Sequence, residues 1–336
     1  MLNLKGIIFE RTDKIIKNEG EIAMFRGKVV IIGAGAVGAT TAYTLMLGGL
    51  FQEIVLIDIN KDKAEGDALD MSHGVSLVKP VSVYSGDYSD CREADIIIIT
   101  AGAPQKAGQT RLHLFKDNVE IYKKIIKSVM EYAPSDVILM PVSNPVDILT
   151  YTAYKLSGLP KNQVLGSGTV LDTSRLKYMI SRKTGVDARN CHTYIIGEHG
   201  DSEVAAWSVT NIGGMTMNEF CKYTDKCRLN DLEIMYNEVK NSAYEIINKK
   251  GATYYAIAVA VARICECIAG DENSILTVSG IFEGEYGIKD VALSVPTMVG
   301  GNGVERIFEV PFSKEELMGL KNSADMLCEL IAQIEF

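Results

Sequence analysis

The sequence has no apolar run long enough to span a bilayer, which reads against a helical membrane protein. Nowhere are Lys and Arg dense enough to form a phosphate-tracking surface, and the net charge is −9, from 34 Lys and Arg against 43 Asp and Glu. That balance argues against nucleic acid as a partner, and any site for an anion must be locally cationic. The residues up to Lys28 lack the apolar core and small-residue cleavage site of a secretory signal. The seven cysteines are Cys91, Cys191, Cys221, Cys227, Cys265, Cys267 and Cys328, and neither the Cys221–Cys227 nor the Cys265–Cys267 spacing suits a metal site. An odd, scattered set with no export signal reads as reduced thiols in the cytoplasm, with no metal. No internal repeat or low-complexity segment is present, so solenoid and array architectures are set aside.

What is present is a chain of 336 residues with 47% hydrophobic content. That is enough for a sizeable core and too long for one ordinary compact domain. The first half alternates β-branched runs with helical patterns. Strands are expected at Val29–Ile32, Glu53–Ile59, Asp95–Thr100 and Asp136–Val142, with helices at Ala36–Leu47 and Asp117–Glu131. Four consecutive isoleucines in Asp95–Thr100 mark a strand buried on both faces. This order is the sequence form of a doubly wound parallel sheet. The second half is mixed α+β. A strand is expected at His192–Ile196, an amphipathic helix at Leu229–Asn248, and an all-round apolar, buried helix at Ala256–Ile268, packed between the two halves. Ser313 and Glu316 form a capping box ahead of a last helix. There Leu317, Leu320, Ala324, Leu327, Ile331 and Ile334 make a stripe to be buried on its own chain or on another subunit. The expected division is a Rossmann-type nucleotide domain over 24–168 and a substrate domain over 169–336. Residues 1–23 are polar and aperiodic. They read as a start codon assigned upstream of Met24, because Glu19-Gly20-Glu21 can be encoded by a ribosome-site-like purine run. The other reading is a disordered arm used in oligomers.

Gly33-Ala34-Gly35-Ala36-Val37-Gly38 follows the first strand and opens the first helix. Gly33 permits a tight turn, Gly35 lets a pyrophosphate approach the backbone, and Gly38 lets helix and strand pack closely. The helix start, with Val37 in its first turn, then offers N–H groups and a positive dipole end to phosphate. Asp58 ends the second strand, where its carboxylate can accept from the ribose hydroxyls of NAD and repel the extra phosphate of NADP. The bland reading, a glycine-rich turn beside an unrelated acid, does not explain strand, turn, helix and acid in register.

A second constellation carries acid–base chemistry. His199 sits between glycines in Gly197-Glu198-His199-Gly200-Asp201, and Asp172 and Arg175 lie three apart on one predicted helix face. Reduction of a ketone by hydride needs a proton for the developing alkoxide, and His is suited to give it. A buried carboxylate fixes the ring's tautomer, and Arg offers a fork for a substrate carboxylate. Arg111 lies on the segment Ala101–His113, which has hinge glycines at Gly102 and Gly108 and can close to bring Arg111 to the carbonyl oxygen. Taken singly, Arg111 reads equally as a solvated loop charge and Asp172 as a helix cap.

From Lys28 onward, about nine-tenths of the chain, the sequence resembles the L-lactate dehydrogenase family, its bacterial members above all. The matching motifs are Gly33–Gly38, Asp58, Ala101–Arg111, Val142-Ser143-Asn144-Pro145-Val146-Asp147, Gly168–Arg175, Gly197–Asp201 and Lys250-Gly251-Ala252-Thr253-Tyr254-Tyr255. The resemblance implies NAD as cofactor and pyruvate and L-lactate as substrates in fermentation. It makes His199 the acid/base, Asp172 its orienter, Arg175 the carboxylate anchor and Arg111 the carbonyl polariser. It places Asn144 near the substrate oxygen and nicotinamide, and Thr253 beside the substrate side chain. It also implies a tetramer activated by fructose bisphosphate at positions held here by Lys177 and His192, where Lys lacks an arginine's fork; a plain strand histidine is the alternative for His192.

Within the wider lactate/malate group, choice turns on Gln105. Malate-type enzymes that resemble this loop carry Arg there. Leaving the second carboxylate of oxaloacetate unpaired costs on the order of 3–5 kcal/mol, or roughly 10²–10⁴-fold. Pro104 departs from the lactate pattern towards the malate one. The alternatives are therefore a dehydrogenase for malate or another 2-hydroxy acid, and a catalytically silent NAD-binding protein, against which the presence of all four of His199, Asp172, Arg175 and Arg111 argues.

Overall fold

A computed structural model describes residues 27–103 and 111–336, with side chains from residue 115 onward in the second stretch. The extension 1–23, Pro104 and Gln105 lie outside the described residues.

Five parallel strands, β1 (Lys28–Ile32), β2 (Glu53–Ile57), β3 (Ser82–Ser85), β4 (Ile96–Ile99) and β5 (Ile138–Pro141), form one sheet in the order β3-β2-β1-β4-β5. A parallel bridge from Leu139 to Val164 continues it at the β5 edge. The order reverses between β1 and β4, and a crevice opens there at the carboxyl ends of the strands. All four isoleucines of β4 are fully buried. Alternation sends Ile97 and Ile99 to one face of the sheet and Ile96 and Ile98 to the other, each within its own core cluster. β2 stops two residues before the expected end, because Asp58 turns out of the sheet and Ile59 is fully exposed.

The helices of this half are α1 (Ala36–Gly48), α2 (Lys61–His73), α3 (Arg111–Met130) and α4 (Val146–Ser157). α3 begins six residues ahead of the expected Asp117, at Arg111. β3 and α2 carried no clear sequence signal. β3 is an edge strand in which only Val83 is fully buried, and α2 buries only two alanines.

The second half carries α5 (Val170–Thr184), α6 (Met217–Tyr223), α7 (Asn230–Lys250), α8 (Tyr255–Ala269) and α9 (Lys314–Ile331), with short antiparallel sheets between them. The expected strand His192–Ile196 is two: Cys191–His192 pairs with Asn211–Ile212, and Ile195–Ile196 pairs with Val204–Ala205. Thr193 between them is buried and shares a hydroxyl hydrogen bond of 2.7 Å with Thr210. α8 is buried on one side only. Val261, Ile264, Cys265 and Ile268 pack towards α1, while Tyr255 and Val259 are 65% and 60% exposed. Composition alone had suggested burial all round; one packed face suffices to hold the helix. The α9 stripe is buried on its own chain, with Leu320, Ala324, Leu327 and Ile331 in the large core cluster. Its capping box is formed, Glu316 N–H donating to Ser313 Oγ at 3.2 Å and Ser313 N–H to Glu316 Oε2 at 2.9 Å. Among the described residues no helix is long and apolar enough to cross a membrane.

Candidate active site

The glycine turn is fixed by sterics. Gly33 has φ +108°, and a Cβ there would meet the Ala101 backbone nitrogen at 2.6 Å. At Gly38 a Cβ would fall 1.8 Å from the Gly33 carbonyl oxygen. Gly35 is different: nothing described lies within 4 Å of its would-be Cβ, and it gives α1 no side-chain cap. The first turn of α1, with Val37 half-buried, thus points its backbone N–H groups into open space at the crevice. Asp58 does more than the sequence suggested. Its Oδ2 accepts from Ala34 N–H at 2.6 Å and its Oδ1 from Asn60 N–H at 2.8 Å, so it anchors the turn. Each oxygen keeps a lone pair for another donor, and Asp58 also lines a cavity with Lys61 and Asp87.

At the β5 end, Asn144 is exposed towards a second cavity of about 290 Å³. Its carbonyl oxygen accepts from Asn118 Nδ2 at 2.8 Å, while Asn118 Oδ1 accepts from Ala103 N–H at 2.7 Å. The buried Asn118 of α3 so ties two strand-end segments together.

Arg175, Asp172 and His199 line the same cavity. Asp172 and Arg175 sit one helical turn apart at the start of α5, and the residues after Ile196 turn His199 back over them. His199 Nδ1 and Asp172 Oδ2 are 2.5 Å apart, and Asp172 Oδ1 accepts from Arg175 Nη1 at 2.8 Å. One carboxylate, 2% exposed, serves both. Burial disfavours the His199 imidazolium, but the charge and hydrogen bond of Asp172, with Asp147 and Glu203 beyond, prevail and push His199 up to about 9. Burial likewise opposes ionisation of Asp172, and the two cations hold it below the usual carboxylate range. With Nδ1 engaged, Nε2 is the ring nitrogen left for chemistry.

Two acids went unassigned in the sequence reading. Asp147, buried in the first turn of α4, accepts His199 N–H at 2.7 Å and Ser279 Oγ–H at 2.6 Å. Burial raises it to about 6, with those two donors pulling the other way. Its signal was an acid inside the apolar run Val146–Leu149. Glu203, 5% exposed, also lines the cavity.

Other expected residues are not brought to this cavity. Thr253 is half-buried in the α7–α8 connection and does not line it. Arg111 is the first residue of α3; its side chain and Gln105 lie outside the described residues. Lys177 lines a separate cavity of about 500 Å³ beside α8 and Arg263, where burial lowers its proton affinity. His192 is exposed on its strand and does not line that cavity.

Residues 27–166 match the family model of the lactate/malate dehydrogenase NAD-binding domain, and residues 169–335 match that of the lactate/malate dehydrogenase α/β C-terminal domain. The chain belongs to the lactate/malate dehydrogenase family. The glycine turn and Asp58 therefore lie within that family's NAD-binding domain, and the open ground at Gly35 fits a dinucleotide there. The L-lactate dehydrogenase of Acetivibrio thermocellus is 57% identical over 312 residues, which is 92% of this chain and 97% of that protein. L-lactate dehydrogenase 1 of Clostridium acetobutylicum is 58% identical over 308 residues, 91% of this chain and 98% of its own. Among solved structures, the minor L-lactate dehydrogenase of Enterococcus mundtii in a ligand-bound form superposes with a TM-score of 0.89 at 44% identity, covering 92% of this chain and 98% of that one. A lactate dehydrogenase from a Medee basin deep-sea metagenome library gives 0.89 at 43%, covering 92% and 99%.

Proposed function

We propose that this chain is an NAD-dependent L-lactate dehydrogenase, interconverting pyruvate and L-lactate in the cytoplasm during fermentation. The observation that carries the reading is the single Asp172 carboxylate that holds both the His199 ring and the Arg175 guanidinium in the wall of one cavity. Bound NADH supplies a hydride to C2 of pyruvate. Arg175 receives the substrate carboxylate as a charge-assisted pair. His199 Nε2 gives its proton to the developing alkoxide and takes it back in the reverse direction. Asp172 and Asp147 hold the ring and its backbone so that this nitrogen faces the substrate. Asn144 borders the same space, and Arg111, arriving from the 104–110 side, polarises the carbonyl. Thr253 keeps its proposed place beside the substrate side chain in the closed state.

The test is a kcat/KM panel of 2-oxo acids with NADH and NADPH. Pyruvate with NADH should lead, and oxaloacetate should trail by roughly 10²–10⁴-fold. A lead for oxaloacetate or a bulkier acid would move the assignment within the family, and no turnover would mean a silent protein. Gln105→Arg should raise oxaloacetate relative to pyruvate by a similar factor, and an unmoved ratio would sink the role given to Gln105. A tetramer activated by fructose bisphosphate is proposed on the family likeness, with Lys177 and His192 meeting across a subunit boundary. A rate at low pyruvate indifferent to millimolar activator would remove it.

A further inference from the structure

Glu203 lies four residues beyond His199, in the strand that pairs back against Ile196. Its Oε1 is the one buried side-chain oxygen or nitrogen among the described residues with no hydrogen-bond partner. The groups that face it are Asp172 and Arg175 of α5, His199 of the adjoining loop, and Tyr236 and Lys240 of α7. Tyr236 donates its hydroxyl to the Glu203 backbone carbonyl and leaves the carboxyl untouched. A carboxylate is acceptor-only, so burying the charged form with an oxygen unbonded forfeits hydration with nothing in exchange. The protonated form loses far less, and Asp172 nearby penalises a second negative charge.

We propose that Glu203 is held as a neutral acid in the working enzyme and is a specificity-determining residue: its proton keeps the cavity open to a substrate carboxylate, and its ionisation closes the cavity to anions. The proposal rests on the reading of this cavity as a 2-oxo acid site. Arg175 must meet the substrate's carboxylate in a wall whose Glu198 and Asp201 are already acidic. An ionised Glu203 beside Asp172 would cancel the attraction Arg175 supplies. Burial first, then Asp172, push the Glu203 carboxyl up to about 8, against the pull of His199, Lys240 and Arg175. Substrate binding is thus gated just below the pH at which His199 itself loses its proton.

The experiment measures KM for pyruvate at saturating NADH, at about pH 6.5 and about pH 9.5, in wild type and Glu203→Gln, reading each enzyme's own ratio of the two. In wild type the rise in KM reports both ionisations. In Glu203→Gln only that of His199 remains, and the ratio should fall by about tenfold, the order for one like charge in a shared cavity at an effective dielectric of about 20. If Glu203 is ionised throughout, its removal weakens the hold on the His199 proton and the ratio rises; a rise or an unchanged ratio overturns the proposal. Infrared spectroscopy gives a second reading that needs neither turnover nor a folded variant. Wild type should show a protonated-carboxyl stretch at about pH 7.5 that is lost by about pH 9.5, and no such band would overturn the proposal. Wild type that ignores pyruvate yet shows the band would instead refute the function proposed above.

Discussion

Replacing Asp172 by Asn tests the centre of the site, because it removes one charge and little volume. His199 stands at about 9 against an ordinary 6.5, and its side chain is 25% exposed. At about 1.4 kcal/mol per unit, that elevation is worth about 3 kcal/mol, and burial alone would place the ring below 6.5 once the carboxylate is gone. The imidazolium is the acid for pyruvate reduction, so kcat/KM falls as pH rises through the His199 value. In Asp172→Asn this alkaline limb should move from near pH 9 to below about 6.5. At about pH 7.5 the protonated fraction drops from nearly full to under about a tenth. Losing the fixed tautomer and the 2.8 Å contact to Arg175 adds to this, for a combined fall of about 10²–10³-fold. The assay is the pH profile of kcat/KM for pyruvate at saturating NADH. A limb that stays near pH 9 would show that Asp172 does not hold the proton, and the reasoning would be wrong.

Other substitutions separate folding from binding. Gly35→Ala meets no protein atom, so its melting temperature should match wild type while NADH binding by fluorescence titration weakens at least about tenfold. Gly38→Ala puts a methyl group into the Gly33 carbonyl and should lose about 3 kcal/mol or more in chemical denaturation. Asp58→Ser should raise NADPH relative to NADH in kcat/KM and cost some stability through the freed Ala34 N–H; an unchanged cofactor ratio would argue that Asp58 serves the turn alone. Glu203 ionises near 4.5 unfolded and about 8 folded, so its favourable contribution is complete below 4.5 and lost as pH rises through 8. Glu203→Gln should therefore gain stability on wild type across that window, and equal melting curves at every pH would contradict a raised Glu203.

The parts of the molecule legible in sequence are those written in local pattern. The glycine spacing gave the turn, the isoleucine run gave β4, and Ser313 with Glu316 gave the start of α9. His199, Asp172 and Arg175 were readable because two short motifs hold them, though only the fold shows one carboxylate shared by both cations. What stayed hidden depends on long separations. Asp147 reaches the His199 backbone across 52 residues, and Ser279 reaches Asp147 across 132. No periodicity encodes such meetings. β3 failed for another reason, since an edge strand with one buried side chain has little hydrophobic signal. α8 shows the opposite error: composition reports what can be buried, while packing decides which face is. Substrate choice, resting on Gln105, is argued from charge alone.

Asn118 has an evolutionary consequence. The chain leaves β4 at Ala103, pinned by that buried amide, and resumes at Arg111 as the first residue of the same helix that carries Asn118. Both ends of the 104–110 stretch are therefore mounted on α3. Such an arrangement is a socket for an exchangeable cassette: the intervening sequence can be rewritten for another oxo acid without re-tuning the acid–base pair, whose own supports lie on α4 and α5. Selectivity and chemistry can then drift apart in a lineage, each under its own selection.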